Sequence, residues 1–288
     1  MNNPNPLQNF FRKPKFSMSL PSRGRWYPPN TLKSTDGSVE IFSMTAADET
    51  KFKTNEVLMS SQATYDLIKS CVPAIVDPEL MPIVDLDAVL LSIRRASYED
   101  SITFKSPIPN TSLVDEFELK ISDLIDTMSN ASVSWDEELN IVEGDSTVTF
   151  QVVPLALKHL FSTTRQIMRQ QQRAESTINN SIEPDEKLNE ISQQLKTIAD
   201  FAVNNVADSI KSIRTNSGFE TSKPQEIRDL LYKLDLEYFR AIKNHLEQQK
   251  KITGFKPVIR TTTPEQQALG APETFPAEIT FNLSNFFA

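Results

Sequence analysis

The spacing of apolar positions changes period several times along the chain, and those changes divide it into segments. "GSVEIFSM" alternates Val39 and Ile41 with polar neighbours after an Asp36-Gly37 turn, which predicts a strand. "TAADE", from Thr45, has a capping-box pattern with acids in the first turn of a helix. A second helix follows in "SSQATYDLIKSCV", with Tyr65, Ile68 and Val72 on one side. Pro73, Pro78 and Pro82 punctuate a loop, and Asp85 then caps "LDAVLLSIRRASY", which turns Leu86, Val89, Leu90 and Ile93 inward. Beyond Tyr98 the period drops to two. "SITFK", "FELKI", "SVSWDEELNIVEG" and "STVTFQVV" read as strands, with a hairpin turn at Glu143-Gly144-Asp145.

From Pro154 the helical period returns, through "LALKHLFSTTRQIMRQQQRAEST". Two long amphipathic segments come next. The first carries Leu188, Ile191, Leu195, Ile198, Ala202, Val206, Ile210 and Ile213 at helical spacing and ends near Gly218. Pro224 opens the second, whose stripe is Ile227, Leu230, Leu231, Leu234, Ile242 and Leu246. Joined by a short loop, they predict an antiparallel helical hairpin.

The ends follow different rules. "NPNPLQNFFRKPKF" has prolines that break every helix, yet Phe10, Phe11 and Phe16 give it apolar anchors, so an extended arm lying on a surface is expected. In "AEITFNLSNFFA", Ile279, Phe281 and Leu283 alternate as a closing strand, with Phe286-Phe287 beyond it. The fold class is therefore α+β. It combines a mixed N-terminal domain holding a small antiparallel sheet, a long helical hairpin in the C-terminal half, an extended N-terminal arm and a closing C-terminal strand. The expected division is arm 1–30, α+β domain 31–153, helical region 154–254 and Pro-rich tail 255–288.

Charge changes this picture at one place. The 288 residues carry a net charge of -8, which disfavours nucleic acid as the main partner. Against that background Arg12, Lys13, Lys15, Arg23 and Arg25 occur with no acid between them. Two readings stay open here, a solvated arm or an arm that docks on an acidic neighbouring subunit. The single cysteine, Cys71, excludes an intrachain disulfide and fits a reducing compartment. No apolar run approaches a membrane span, and the first residues lack the apolar core of a signal peptide.

Candidate chemistry is thin. Cys71, His159 and His245 lie far apart and lack the short-spaced pairs of a zinc site. No Gly-x-Ser-x-Gly elbow, phosphate loop or dinucleotide fingerprint occurs. Cys71 reads as a small core residue, and the pairs Asp85/Asp87 and Asp235/Glu237, spaced by two, read as capping and solvation. The polar faces of the helices at 185–252 mix acids and bases, unlike a membrane-surface helix. No cofactor is expected. What remains is an interaction protein, whose candidate partner-binding residues are Phe10, Phe11, Arg12, Lys13, Phe16, Arg23, Arg25, Trp26, Tyr27, Phe286 and Phe287.

One resemblance sharpens this reading. "LPSRGRWYPP…VEIFSMTAADE" resembles the opening of the T4-like myophage baseplate hub proteins that include the hub-assembly subunit. The shared features fall on Leu20-Pro21-Ser22, Gly24, Tyr27 and Met44-Thr45 to Asp48-Glu49. The similarity continues through "LIKSCV" and "VDLDAVLLSIRRASY", and the close "ITFNLSNFFA" is similar to the Phe-Phe ending of related tail proteins. Relatives often carry a Cys-x-x-Cys zinc knuckle that this chain lacks, so any such region here would hold no metal. The resemblance implies a non-enzymatic component of a contractile phage tail baseplate, in its hub region. Such a component is assembled in the host cytoplasm, belongs to the virion and is bound to other baseplate or hub proteins. A tail-assembly chaperone absent from the mature virion is the alternative. A hydrolase is a third reading, which needs Cys71 within hydrogen-bond reach of His159 or His245. If the arm serves only a neighbour, deleting residues 1–29 should leave a folded protein that no longer joins its assembly.

Overall fold

The computed structural model describes residues 11–53, 61–131, 135–166, 192, 196–197 and 200–279. They fall into two units, one built from the segments before 135 and after 250, the other from the segment between.

In the first unit, β1 (Pro14–Ser19) and β2 (Ser38–Phe42) pair antiparallel, with Met18 opposite Val39 and Phe16 opposite Ile41. Their inward side chains meet α2 (Ser61–Cys71) and α3 (Leu86–Ser97), whose buried stripes include Tyr65, Leu67, Ile68, Val89, Leu90 and Ile93. Between β2 and α2 lies α1 (Ala46–Lys53). Thr45 opens it with the expected reciprocal cap, its hydroxyl accepting from the Asp48 amide while the Asp48 carboxylate accepts from the Thr45 amide. Two 3-10 turns, Pro78–Leu80 and Ile83–Asp85, lead into α3.

β3 (Ser101–Pro107) and β4 (Val114–Lys120) form the next hairpin, with Phe104 opposite Phe117 and their ring centroids 6.2 Å apart. The strand reading of "FELKI" stops one residue early, because Ile121 begins α4 (Ile121–Ala131). That helix lies where the sequence reading has only strands. Ile121, Ile125 and Met128 are its buried stripe, at spacings of four and three.

The second unit is an antiparallel sheet ordered β5-β6-β7-β8, from β5 (Glu138–Glu143), β6 (Ser146–Val152), β7 (Ile210–Thr215) and β8 (Glu220–Thr221). The expected turn joins β5 to β6, with Gly144 at φ 58°. Residues 157–166 (α5) and 200–208 (α6) are helical, followed by α7 (Pro224–Lys233) and α8 (Leu236–Thr253). The core joins Phe150, Val152, Ile210 and Ile213 of the sheet to Val206, Ile227, Leu231, Ile242 and Leu246 of the helices.

The helical hairpin expected here takes another form. Leu188, Ile191, Leu195 and Ile198 lie outside the described residues, and Ile210 and Ile213 belong to β7 rather than to a helix. A bulge explains the deceptive spacing. Val152 pairs with Ile210 but Gln151 with Ser212, so Lys211 is an extra residue and two isoleucines three apart both face the core. The second amphipathic segment also divides. Leu234 is extended, and the Asp235 carboxylate accepts from the Glu237 amide at 3.0 Å to start α8.

The chain then returns to the first unit with β9 (Val258–Thr261), α9 (Pro264–Ala268) and β10 (Thr274–Ala277), the two strands pairing antiparallel. Of the closing strand expected from Ile279 onward, Ile279 lies outside any strand, and Phe281, Leu283, Phe286 and Phe287 lie outside the described residues.

Candidate interaction site

β1 feeds a loop that the first unit holds by its backbone. Leu20 is fully buried and its amide donates to the Gly37 carbonyl at 2.8 Å. The chain then turns through Ser22 to Asn30 with Arg23, Gly24, Trp26 and Asn30 all at φ between 54° and 76°. Three of those are not glycine, an arrangement that costs roughly 1–3 kcal/mol per residue unless its surroundings enforce it. Gly37 is one enforcer, since a Cβ there would lie 2.4 Å from the Arg23 carbonyl carbon.

Asp85 is the other. It stands just before α3, yet its carboxylate makes no cap and reaches into the loop instead. It accepts from the Ser22 amide at 2.7 Å, the Ser22 hydroxyl at 2.6 Å and the Tyr27 hydroxyl at 3.0 Å. The Gly24 amide in turn donates to the Ser22 hydroxyl at 3.1 Å. The capping role expected of Asp85 is thus replaced by a long-range anchor, and the Ser22 and Tyr27 of the sequence motif are its partners.

Burial pushes the Asp85 carboxyl up to about 6 despite these donors. Tyr27 is raised well above its usual range, first by burial and then by the charge of Asp85. Asp87, partly buried and without a hydrogen-bond partner among the described residues, is also pushed up to about 6 by burial. A carboxyl raised in the folded state stabilises fully below its unfolded value, near 4, and that contribution is lost as pH rises through about 6. Asp87→Asn should therefore flatten the fall in unfolding free energy between about pH 4 and pH 6 by up to about 3 kcal/mol. Denaturant titrations across that window check it, and an unchanged slope would show that Asp87 titrates as an ordinary surface acid.

The predicted partner-binding residues separate into groups. Phe11 is 62 % exposed and Lys13 is exposed. Arg12, also exposed, is tied to its own unit, donating to the Ser43 and Ser70 carbonyls at 3.1 and 2.7 Å and lying 3.6 Å from Asp48. Phe16 is half-buried under the Arg95 guanidinium, 4.6 Å from the ring centroid. Arg23 reaches the Ser129 carbonyl at 3.2 Å. The Arg25 guanidinium stacks 4.3 Å over Trp26 at the loop's tip, with both side chains part-exposed. Phe10, Phe286 and Phe287 lie outside the described residues. Sequence reasoning missed Asp85 as anchor and Arg95 altogether. Both residues lie in the quoted stretch "VDLDAVLLSIRRASY", but proximity in sequence gives no sign of their partners, since Ser22 is 63 positions from Asp85.

The other reactive groups singled out by residue type lie in the following surroundings. Burial and the charge of Asp48 push the Cys71 thiol up to about 12, the reverse of what a nucleophilic thiolate needs. Burial raises Asp208, but the hydrogen bond from His159 at 2.7 Å and the charges of His159 and Arg228 hold it below the usual carboxylate range. His245 meets the Asp136 carbonyl at 3.2 Å. Among the described residues no cluster of three or more His, Cys, Asp or Glu is placed to hold a metal, and no helix is long and apolar enough to cross a membrane.

The model of the family described as T4 bacteriophage base plate protein matches residues 13–266. The chain belongs to that family. The match runs from the approach to β1 into α9, so it takes in both units and the whole of the anchored loop. Neither curated proteins nor solved structures give a match. Within the matched span, Asp85 and Gly37 hold the loop that carries Arg25 and Trp26.

Proposed function

We infer that the chain is a non-enzymatic structural component of the hub region of a contractile phage tail baseplate. It is assembled in the host cytoplasm and retained in the virion through contacts with other baseplate proteins. The observation that supports this reading most is the family match over both units, joined to a loop held in a strained, preset conformation by a buried carboxylate. Preorganisation of this kind favours association because the ordering cost is met during folding rather than at contact. The loop tip, with Arg25 over Trp26, is the proposed partner contact, since Trp and Arg are the residue types that most often dominate interfaces.

Quantitative mass spectrometry of purified virions tests the reading. Peptides from this chain are expected in fixed ratio to other baseplate proteins, and their absence would favour the assembly chaperone. Trp26→Asn, which tolerates the left-handed backbone at this position, should lower incorporation by roughly tenfold or more while leaving the thermal transition of the purified chain in place. Incorporation at the level of the unsubstituted chain would remove the loop tip from the interface.

A further inference from the structure

Among the described residues β1 has a strand partner on one side only. The Leu20 amide bonds to Gly37, and the pairing continues with Met18 opposite Val39 and Phe16 opposite Ile41. Main-chain groups alternate in direction along a strand, so Ser17 and Ser19 aim theirs away from β2. They open onto a cleft of about 310 Å³ between β1 and α4. The Ser129 hydroxyl takes the Ser19 carbonyl at 2.9 Å and closes the far end. The Ser17 amide and carbonyl and the Ser19 amide face the open part.

Charge says what fits. Arg23 and Arg95 flank the cleft against the single acid Asp126, and Lys15 stands exposed just before it. Arg95 is held at 3.0 Å by Asp100, which fixes its guanidinium beside Phe16. With Asp100 counted, the edge sets Arg23, Arg95 and Lys15 against Asp126 and Asp100, one positive charge in excess in a chain of net charge -8. The cleft along the opposite edge, beside β2, is lined by Lys33 and Glu40 and has no such bias. A bulge at Lys15 interrupts β1 and limits further pairing to its second half.

We propose that a short, extended, acidic segment of another baseplate protein adds to β1 at Ser17 and Ser19 as a third strand, its carboxylates meeting Arg23 and Arg95. This rests on the reading of the chain as a protein that works through protein contacts, and it supplies the mode of one such contact.

A fluorescent peptide of alternating valine and glutamate is the probe, with alternating valine and lysine as its counterpart, titrated against the full chain by anisotropy. The acidic peptide should bind at least roughly tenfold more tightly than the basic one, more weakly as salt rises, and should protect the Ser17 and Ser19 amides from hydrogen exchange. Ser17→Pro removes the amide that faces the cleft and keeps the pairing with β2, so it should weaken binding about tenfold at an unchanged melting temperature. Arg95→Glu should do the same and provides a second variant if the proline perturbs folding. No saturable binding, equal binding of the two peptides, or binding that survives both substitutions overturns the proposal. A concentration-dependent dimer that Ser17→Pro abolishes also overturns it, in favour of pairing between two copies. Failure here with the chain still present in virions would leave the structural role intact. Peptide binding with the chain absent from virions would remove that role and keep the cleft.

Discussion

Replacing Asp85 with alanine is expected to destabilise the first unit by about 3 kcal/mol or more at neutral pH. The substitution strands the buried Ser22 amide, the Ser22 hydroxyl and the Tyr27 hydroxyl, each of which now donates to this carboxylate. A buried donor without a partner costs about 1–3 kcal/mol, and relief of the burial penalty on the carboxylate offsets only part of the sum. For a unit of this size that corresponds to a fall of about 6–12 °C in the thermal transition. Asp85→Asn, which keeps one acceptor, should fall between the two. Differential scanning calorimetry of the three proteins checks the order, and an alanine variant that melts with the unsubstituted chain would show that the loop holds without its anchor. Because the loop also carries Arg25 and Trp26, the alanine variant should lose incorporation more severely than its stability loss alone accounts for.

Removal of residues 1–29 is expected to abolish folding of the first unit, in contrast to the folded product that a merely docking arm would leave. Met18 and Leu20, 6 % and 0 % exposed, are core residues, and truncation of one such side chain costs about 2–5 kcal/mol. The deletion also leaves β2 without its strand partner among the described residues and Asp85 without its donors. Together these losses exceed the roughly 5–15 kcal/mol that keeps a domain folded. Circular dichroism melts and limited proteolysis will distinguish the cases. A cooperative transition close to that of the full chain would return residues 14–27 to the status of a detachable arm.

The sequence yielded some elements readily and concealed others for identifiable physical reasons. The stripe of α3 was legible because Val89, Leu90 and Ile93 repeat at helical spacing without interruption. α4 escapes a sequence reading because β4 passes directly into it, with neither glycine nor proline anywhere from Val114 to Ala131 to mark the change. β7 imitated a helix because its bulge restores Ile213 to the face of Ile210 after three residues. For the site, the motif at Leu20 to Tyr27 was singled out, but its meaning depends on a residue 63 positions from Ser22. An aspartate ahead of a helix reads as a cap by default, and only the folded chain shows its carboxylate turned elsewhere. The basic run likewise reads as uniform in sequence, whereas folding ties Arg12 to Asp48 and Ser70 along the surface of its own unit.

The first unit is completed only after the ribosome has passed the second. Its strands β9 and β10 follow the whole of the second unit, and Arg260 of β9 holds Asp115 of β4 at 2.8 Å while stacking 4.9 Å over Phe117. At roughly 5–20 residues per second, the 120 positions separating residue 131 from residue 251 take on the order of 10 s to synthesise. Throughout that interval the β3–β4 hairpin waits without its C-terminal cover, while the second unit has all it needs to close as soon as α8 emerges. A chain truncated before residue 258 and released would therefore carry one finished unit and one unfinished, and the finished one would be the later of the two to begin.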